Sequence, residues 1–555
     1  MTVEAKDSRY DVIIMGGGLA GLCLALQLKQ RITALRILIV ERRTHPVPEA
    51  IHKIGESSVE IAANYFDTVL GLKDHLVSKQ LKKFGFRFFF SDGRDDIGRV
   101  TEVGASQYLS TPSYQIDRGI FENFLGETVR QRAIEFVDDA VVRKFELNAD
   151  GNDHSIVYTH GGQEHSATAR WLVDAAGRAG LIKRRLGLEQ ENGHDANAVW
   201  FRIGSRICID DWVSDPDWQA RCTPRARWLS TNHLVGAGYW AWLIPLASGS
   251  HSVGIVADSN MHPSASLDSF DKVLGWLDRH QPRLAQEVRK KQHLLQDFAY
   301  LRRFSYSCKQ VFSGQRWALT GESGAFLDPF YSPGSDFIAI SNTYITELIA
   351  RDIGGEDIGK LARIYERFFM SFYDSTLSLY QNQYPMFGNA TVFPVKIIWD
   401  YTYYWGILCQ LFFQRRLTDI KMLGTVSADL ERCKALNLEM QDFLRQWSRA
   451  TAGKNEPVML DQAKLDWFAE MNLGLRDELD DAAFMRRIGE SAERLQRLAL
   501  EIVDIAQANH AELSGSKIRN AVSRAACTHI APPLLAGMFD PVCSDAMASN
   551  ELLRG

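Results

Sequence analysis

YDVIIMGGGLAGLCLALQLKQRITALRILIVE, residues 10–41, decides the fold. Tyr10 to Met15 is a short apolar run with β-branched residues, Gly16 to Gly18 is a glycine cluster, Leu22 to Gln30 carries apolar residues at helical spacing, and Ile37 to Val40 is a second apolar run. Strand, turn, helix, strand in that order is a βαβ unit. Gly16, Gly18 and Gly21 form G-x-G-x-x-G where the strand gives way to the helix, and Glu41 ends the second strand about twenty residues later. Such glycines allow a tight turn, close approach of the backbone to a pyrophosphate, and packing of helix on strand. The helix N-terminus offers N–H groups and partial positive charge to the phosphates, and a carboxylate at Glu41 suits ribose hydroxyls. The unit therefore implies a bound dinucleotide.

Outward from this unit, residues 56–80 read as helical and FGFRFFF (84–90) as a phenylalanine-rich strand. Between 135 and 175, segments such as SIVYTH and ARWLVDAAG suggest antiparallel strands that return to the cofactor sheet. NAVWFRIG, YWAWLIPL, HSVGIVAD and AYLRRFSYS, between 197 and 310, read as a second sheet suited to walling a substrate cavity. From about 338 the pattern is helical almost to the end. The expected architecture is α/β, with a cofactor domain built from 1–195 and 300–345, a substrate-region sheet from 196–299, and a helical C-terminal region from 346–555.

Bulk properties exclude several classes. At 555 residues and 46% hydrophobic content the chain can bury a sizeable core. A net charge of -5 leaves no cationic footprint for nucleic acid. The eight cysteines are scattered, with no CxxC pair and no histidine cluster at ligand spacing, so reduced thiols in a cytoplasmic protein and no metal are expected. The polar opening MTVEAKDSRYD has no room for a signal sequence. The most lipophilic stretch, Val392 to Phe413, is broken by Pro394, Lys396, Asp400 and Gln410, whereas a spanning helix needs ~20 nearly uncharged residues. It reads as a buried or substrate-covering helix.

Three further segments carry a family resemblance. DAAGR (174–178) resembles the D-A-[SA]-G-R signature of class A flavin monooxygenases and halogenases, YQIDRGIFENFL (114–125) their D-R-x-x-F-[DE] segment, and RWALTGESGAFLDPFYSPG (316–334) their G-D-A-A-x-F-x-D-P segment. The resemblance implies a glutathione-reductase-like Rossmann fold that binds FAD, with Arg118, Asp174 and Gly177 among the cofactor residues. Glu322 stands where the family usually has the aspartate that meets the ribityl chain. WAWLIP (240–245) matches W-x-W-x-I-P, by which flavin-dependent halogenases are told from flavin hydroxylases. In that reading Trp240 and Trp242 fill the space an organic substrate would need to reach the flavin, while a small oxidant still passes.

KFGFRFFF (83–90) resembles the halogenase pattern K-x-x-x-[KR]-F, which makes Lys83 the candidate catalytic lysine; Lys53, in HKIGESSVE (52–60), is a second candidate. The family's halide turn, S-[TS]-G, reads Ser332-Pro333-Gly334-Ser335 here, and proline has no N–H to donate. Halide would rest on Ser332, Gly334 and Ser335. Tyr331 stands where tryptophan halogenases carry a glutamate, which argues against free tryptophan as substrate.

The resemblance implies reduced FAD delivered by a separate flavin reductase, since no second dinucleotide fingerprint is present. Dioxygen and halide would then yield hypohalous acid, which passes the two tryptophans to Lys83 and halogenates an aromatic substrate, phenol- or pyrrole-like, free or on an acyl carrier protein. Two other readings stay open at this point: a flavin hydroxylase or oxidase on the same scaffold, favoured by Pro333, and a flavin-binding partner module without organic turnover.

Overall fold

In a computed structural model, which describes residues 8–49, 55–149, 151–522 and 533–538, the 10–41 segment folds as its pattern dictates. Ser8–Met15 is a strand, Leu19–Arg31 a helix and Ile37–Val40 a strand, with all four residues of the last buried. The two strands pair in parallel, and Gln163–Asp174 pairs in parallel on the other side of Ser8–Met15. The whole seven-stranded sheet runs Glu135–Val137, Ile37–Val40, Ser8–Met15, Gln163–Asp174, His154–His160, Ala140–Glu146, with Trp317–Leu319 beside the end of Gln163–Asp174. Gln163–Asp174 does double duty: its first half belongs to an antiparallel meander and its second half to the parallel core.

Register places the ends of four parallel strands side by side. Met15 lies opposite Val40 and Asp174, and Asp174 lies opposite Leu319. The residues that follow them, Gly16, Glu41, Ala175 and Thr320, emerge on one carboxyl edge, where open α/β sheets bind ligands. Gly16 holds this edge together: its φ is +119°, and a Cβ there would stand 2.3 Å from the Ala175 carbonyl oxygen.

The second sheet has eight strands, in the order Leu295–Leu301, Ala196–Ile203, His251–Asp258, Tyr239–Pro245, Thr231–Gly236, Phe86–Phe89, Glu102–Gly104, Met459–Asp461. It is antiparallel except where Thr231–Gly236 meets Phe86–Phe89 and where Glu102–Gly104 meets Met459–Asp461. Two of its strands thus come from residues 86–104, and one from within the C-terminal helical region. That last strand departs from the helical pattern expected beyond 338. Three residues are too few to show a period of two.

Alternation along Tyr239–Pro245 sorts the WAWLIP side chains. Trp240, Trp242 and Ile244 join the large core shared with the cofactor sheet and the C-terminal helices. Tyr239, Ala241 and Leu243 join a second core, capped by the Phe270–His280 and Pro282–Lys291 helices. A strand buried on both faces needs no polar alternation, and all seven of its residues are buried. The cross-strand partner of Trp242 is Gly254, and the indole lies against it. The segment expected as helical over 56–80 is Glu60–Asn64 running directly into a π-turn at Tyr65–Val69, and then, past Gly71 at φ +69°, Lys73–Lys79. The long C-terminal helices include Gly334–Ile353, Gly359–Leu377, Val392–Tyr403, Ile420–Ala450 and Asp481–Asn509. Val392–Tyr403 is nearly all buried in protein. Among the described residues no helix is long and apolar enough to cross a membrane.

Gly254→Ala tests the packing that seats Trp242. A Cβ at Gly254 would stand 2.1 Å from the indole, so the ring must move; overpacking of this kind costs about 1–3 kcal/mol. The expected result is a lowered melting temperature with near-wild-type secondary structure, and an unchanged melting temperature would mean that the indole sits elsewhere.

Candidate active site

The carboxyl edge of the cofactor sheet opens into a cavity of about 630 Å³. At one end are Gly16, Gly18 and Glu41; along its length come Gly177, Arg178, Thr320 and Glu322; at the far end stand Ser57, His233, Trp240 and Trp242. Arg118 and the Ser332–Ser335 turn line it as well. One space therefore collects most of the residues singled out from the sequence, while Gly21, Lys83 and Asp174 lie outside its wall.

The donor set at the glycine end fits a diphosphate. Gly18 caps the Leu19–Arg31 helix with no side-chain hydrogen bond, and the first turn holds no acidic residue. Its first N–H groups have no intrahelical acceptor, so they and the helix dipole are available to phosphate. Glu41 is held in place by the backbone: its carboxylate accepts the Gly17 N–H at 2.6 Å and the Arg43 N–H at 2.8 Å. Each oxygen keeps a lone pair for a ribose hydroxyl.

Asp174 plays a different part from the other cofactor candidates. It does not line the cavity; its carboxylate accepts the Ala176 N–H at 3.0 Å and the Ile182 N–H at 2.8 Å. Burial raises its pKa to about 6 against the pull of those N–H groups. It shapes the turn that carries Gly177, at φ +60°, and Arg178 to the cavity wall. Arg178 reaches across to Glu322 at 3.3 Å and donates to the Phe304 carbonyl at 2.7 Å. Arg118, the first residue of its helix, pairs with Glu122 at 2.5 Å.

Lys83 is buried, 3% exposed, beyond the far end of the cavity. Its Nζ donates to Ser57 Oγ at 2.9 Å and to the Ser58 carbonyl at 3.1 Å, and lies 3.4 Å over the Phe86 ring. Ser57 belongs to the wall of the main cavity. Phe86 and Asp336 belong to the wall of a second, aromatic-lined cavity of about 60 Å³. Lys83 thus stands between the two spaces, one hydroxyl away from the larger. Burial lowers its pKa to about 7, partly offset by Glu60 and Asp336. Asp336 is itself pushed up to about 8 by burial, although it accepts the Ala62 N–H at 2.9 Å and the Tyr404 hydroxyl at 2.6 Å. Burial thus favours the neutral form of both groups. The other lysine candidate, Lys53, lies outside the described residues.

Trp240 and Trp242 stand 5.5 Å apart, centroid to centroid, and line the main cavity between the cofactor sheet and His233. Ser332, at φ +55°, begins the halide-turn candidate, and Pro333 is the cap residue of the 20-residue Gly334–Ile353 helix. Gly334 and Ser335 are the first helical residues, with N–H groups that have no intrahelical acceptor. A helix N-terminus attracts anions, which offsets part of what proline removes.

Several residues of the site carry no signal in the sequence. His233, on the strand Thr231–Gly236, packs on Phe88 with ring centroids 4.8 Å apart; its pKa is lowered to about 3, first by burial and then by Lys83. An isolated histidine in TNHLVG has no motif to flag it. Asp336 and Tyr404 come together only through tertiary packing, whereas Ser57 lies in the HKIGESSVE segment, which resembles the family's G-E-[SA] segment. Asp328 lies inside the 316–334 motif, but nothing in that motif names its partners.

Comparisons with known proteins bear on the fold and the family. The FAD binding domain family matches residues 9–227. The flavin-dependent halogenase chlA of Dictyostelium discoideum is 24% identical over 434 residues, which cover 72% of this chain and 70% of that protein. A 1H-pyrrole-2-carbonyl-[peptidyl-carrier protein] brominase of Pseudoalteromonas luteoviolacea is 23% identical over 63% of this chain and 79% of its own. The crystal structure of halogenase PltM in complex with phloroglucinol and FAD has the same fold, with a TM-score of 0.62 at 17% identity over 92% of this chain and 99% of that one. The resemblance read from the sequence holds: this is an FAD-dependent oxidoreductase similar to the flavin-dependent halogenases.

Gly18→Val tests the diphosphate position. The valine side chain would occupy the space between the turn and the phosphates, and FAD affinity is expected to fall about tenfold or more, ~1.4 kcal/mol, in a folded protein. Unchanged affinity by fluorescence titration would move the diphosphate away from this turn.

Proposed function

We propose that this FAD-dependent oxidoreductase is a halogenase that delivers hypohalous acid from the flavin to Lys83 for electrophilic halogenation of an aromatic substrate. The carrying observation is the continuous cavity that runs from the Gly16–Gly18 turn to Trp240, Trp242 and Ser57, with Lys83 hydrogen-bonded to the far side of Ser57. Bound reduced FAD, together with dioxygen and halide, supplies the oxidant. Gly16, Gly18 and Glu41 would hold the adenosine diphosphate half, with Gly21 packed beneath the Gly16 carbonyl so that the helix can seat on the strand, and Gly177, Arg178 and Glu322 border the path of the rest. The absence of a second dinucleotide fingerprint from the sequence supports a separate flavin reductase as the source of reduced cofactor.

The protein's own contribution is exclusion and proton control. The two indoles narrow the cavity so that a small neutral oxidant passes where an arene does not. At Lys83, the buried amine can hydrogen-bond hypohalous acid or take the halogen as a haloamine, and in either form it holds an electrophile beside the aromatic cavity. That cavity, at about 60 Å³, is smaller than the ~150 Å³ that holds a benzene ring, so an arene enters by displacing side chains such as Tyr401 and Tyr404. The relatives support two substrate types: phloroglucinol is bound by PltM, and a carrier-bound pyrrole is the substrate of the brominase. A phenol- or pyrrole-like ring, free or on a carrier protein, is the class proposed.

Lys83→Ala separates this reading from its rivals. With reduced FAD, halide and an acceptor arene, the variant should still release hypohalous acid while halogenated product falls about 10²-fold or more, the usual scale for a positioned acid–base group. Retained halogenation would move the role to Lys53 or elsewhere. Hydrogen peroxide release without halide-dependent product in the wild type would favour a hydroxylase or oxidase. Because the reactive amine is the deprotonated form, product per hypohalous acid should rise as pH increases through about 7, in an environment that also holds Glu60, Asp336 and His233; a flat profile counts against the amine.

The halide turn gives a second test. One N–H to an anion is worth ~1.5–3 kcal/mol, and chloride, the more strongly hydrated halide, loses most without it. The wild type should prefer bromide. Pro333→Ser restores an N–H at the head of the Gly334–Ile353 helix, and should lower the chloride requirement about tenfold in a halide titration of product formation. No change would place the halide away from Ser332, Gly334 and Ser335.

A further inference from the structure

Behind Trp240 runs a chain of buried polar groups that none of the motifs explains. The Trp240 indole N–H donates to the Tyr384 hydroxyl at 2.9 Å. The Tyr384 hydroxyl donates in turn to Asp328 Oδ2, and the same oxygen meets His194 Nε2 at 2.7 Å. Asp328 Oδ1 accepts the Phe330 N–H at 2.9 Å. All four side chains are buried. Trp240 and Asp328 face the main cavity, whereas Tyr384 and His194 stand behind it.

The chain has a fixed sense. An indole N–H can only donate, so Tyr384 must accept from it, and its own proton must go to the carboxylate. A carboxylate that accepts from a phenol, an imidazole and a backbone N–H is a strong anchor. The backbone repeats the attachment: the Gly238 N–H, in the turn just before Trp240, donates to the Tyr384 carbonyl at 2.9 Å. A Cβ at Gly388 would lie 2.7 Å from the Ala237 nitrogen. Residues 384–388 are therefore pressed against the hairpin that presents Trp240. From Trp240 the rings lead on toward the lysine: Trp240 to His233 at 5.2 Å, His233 to Phe86 at 5.3 Å, and Phe86 beneath Lys83.

We propose that Tyr384 is a positioning residue of the halogenation reaction, which latches Trp240 across the passage between the flavin cavity and Lys83 and so sets the share of hypohalous acid that reaches the arene. The inference rests on the halogenase reading. A tryptophan held at one edge presents one profile to the passage. Without the latch the ring has no acceptor for its N–H and can turn toward one, which widens or blocks the route. Tyr384 touches neither cofactor nor substrate and acts through Trp240.

The test uses the full-length, FAD-loaded enzyme with Tyr384→Phe, which keeps the ring and its stacking on Phe387 at 4.7 Å but removes the hydroxyl. Two quantities are read: total hypohalous acid, trapped by an excess of a reactive diketone, and the fraction delivered to the arene when the trap is absent. FAD affinity and flavin reoxidation should stay near wild type while the delivered fraction falls about tenfold, part of the ~10²-fold that a misplacement of about 1 Å can cost. In the Trp240→Phe background the same change should have little further effect, since both act on one element. An unchanged delivered fraction in Tyr384→Phe, or losses that multiply in the double variant, would overturn the proposal. If Tyr384→Phe does not fold, His194→Ala removes a donor from the same carboxylate; delivery should fall in that variant too, and unchanged delivery there would equally overturn the latch. A wild type that yields neither trapped oxidant nor halide-dependent product counts against the halogenase reading and the latch together. A wild type that delivers halogen, beside a variant that does so equally well, counts against the latch alone.

Discussion

Everything in the active site hangs on the contact of Gly16 with Ala175. The Ser8–Met15 strand lies between Ile37–Val40 and Gln163–Asp174 in a register that ends all three together, and the chain can leave that edge only if the first residue of the turn has no side chain. Any Cβ at Gly16 would enter the Ala175 carbonyl. With the contact made, the helix N-terminus, the Glu41 carboxylate and the Asp174-braced turn converge on one opening. Without it the strands splay, and the cavity that joins the glycine turn to the second sheet has no floor.

A second constraint is the cost of burying ionisable groups. Lys83, Glu60 and Asp336 lie in one low-dielectric region, and burial opposes the charged form of each. Mutual attraction offsets part of that penalty. The balance leaves a lysine that can be neutral near pH 7 and a carboxyl that can be protonated, the reverse of their states in water. In the proposed role, in which Lys83 meets a neutral electrophile, this is the useful form. The same carboxyl receives the Ala62 N–H and the Tyr404 hydroxyl, so the geometry around Lys83 is set by three separate parts of the chain: the segment after the cofactor unit, the start of the Gly334–Ile353 helix, and the C-terminal helices.

How much of this could be read in the sequence depended on the range of the interaction. The βαβ unit was legible because strand, turn and helix are neighbours, and because a glycine that carries a steric demand leaves a visible residue. Trp240 and Trp242 were legible as a pattern, and the period of two in WAWLIP explains why both indoles face one way. Asp174 was legible as part of DAAGR but not as a brace for the turn, since its acceptor role depends on Ile182, eight residues away and out of any motif. The strand Met459–Asp461 was hidden by its length. Asp336 and Tyr384 were hidden by distance: 253 residues separate Asp336 from Lys83, and 144 separate Tyr384 from Trp240. Pairings of that span leave no local signature.

Those long-range pairings bear on what the C-terminal region is for. Its density of aromatic residues, read alone, suits a substrate lid and a packing core equally well. In the structure the two are one arrangement, because Tyr404 meets Asp336 beside the aromatic cavity and Tyr384 holds Trp240 from behind the main one. Tyr331, which stands at the position of a family glutamate, donates to Asp400 at 2.9 Å, and Asp400 is paired with the buried Lys396 at 2.7 Å. A carboxylate is thus brought back to the rim of the aromatic cavity through a tyrosine, from a helix that local sequence could assign only as apolar. A buried ion pair contributes little net stability compared with apolar packing; its value lies in fixing the orientation of the Tyr331 hydroxyl. The aromatic cavity is therefore walled in part by two tyrosines, Tyr331 and Tyr404, whose hydroxyls are committed to the carboxyl groups of Asp400 and Asp336, so that the C-terminal helices and the Gly334–Ile353 helix set its shape together.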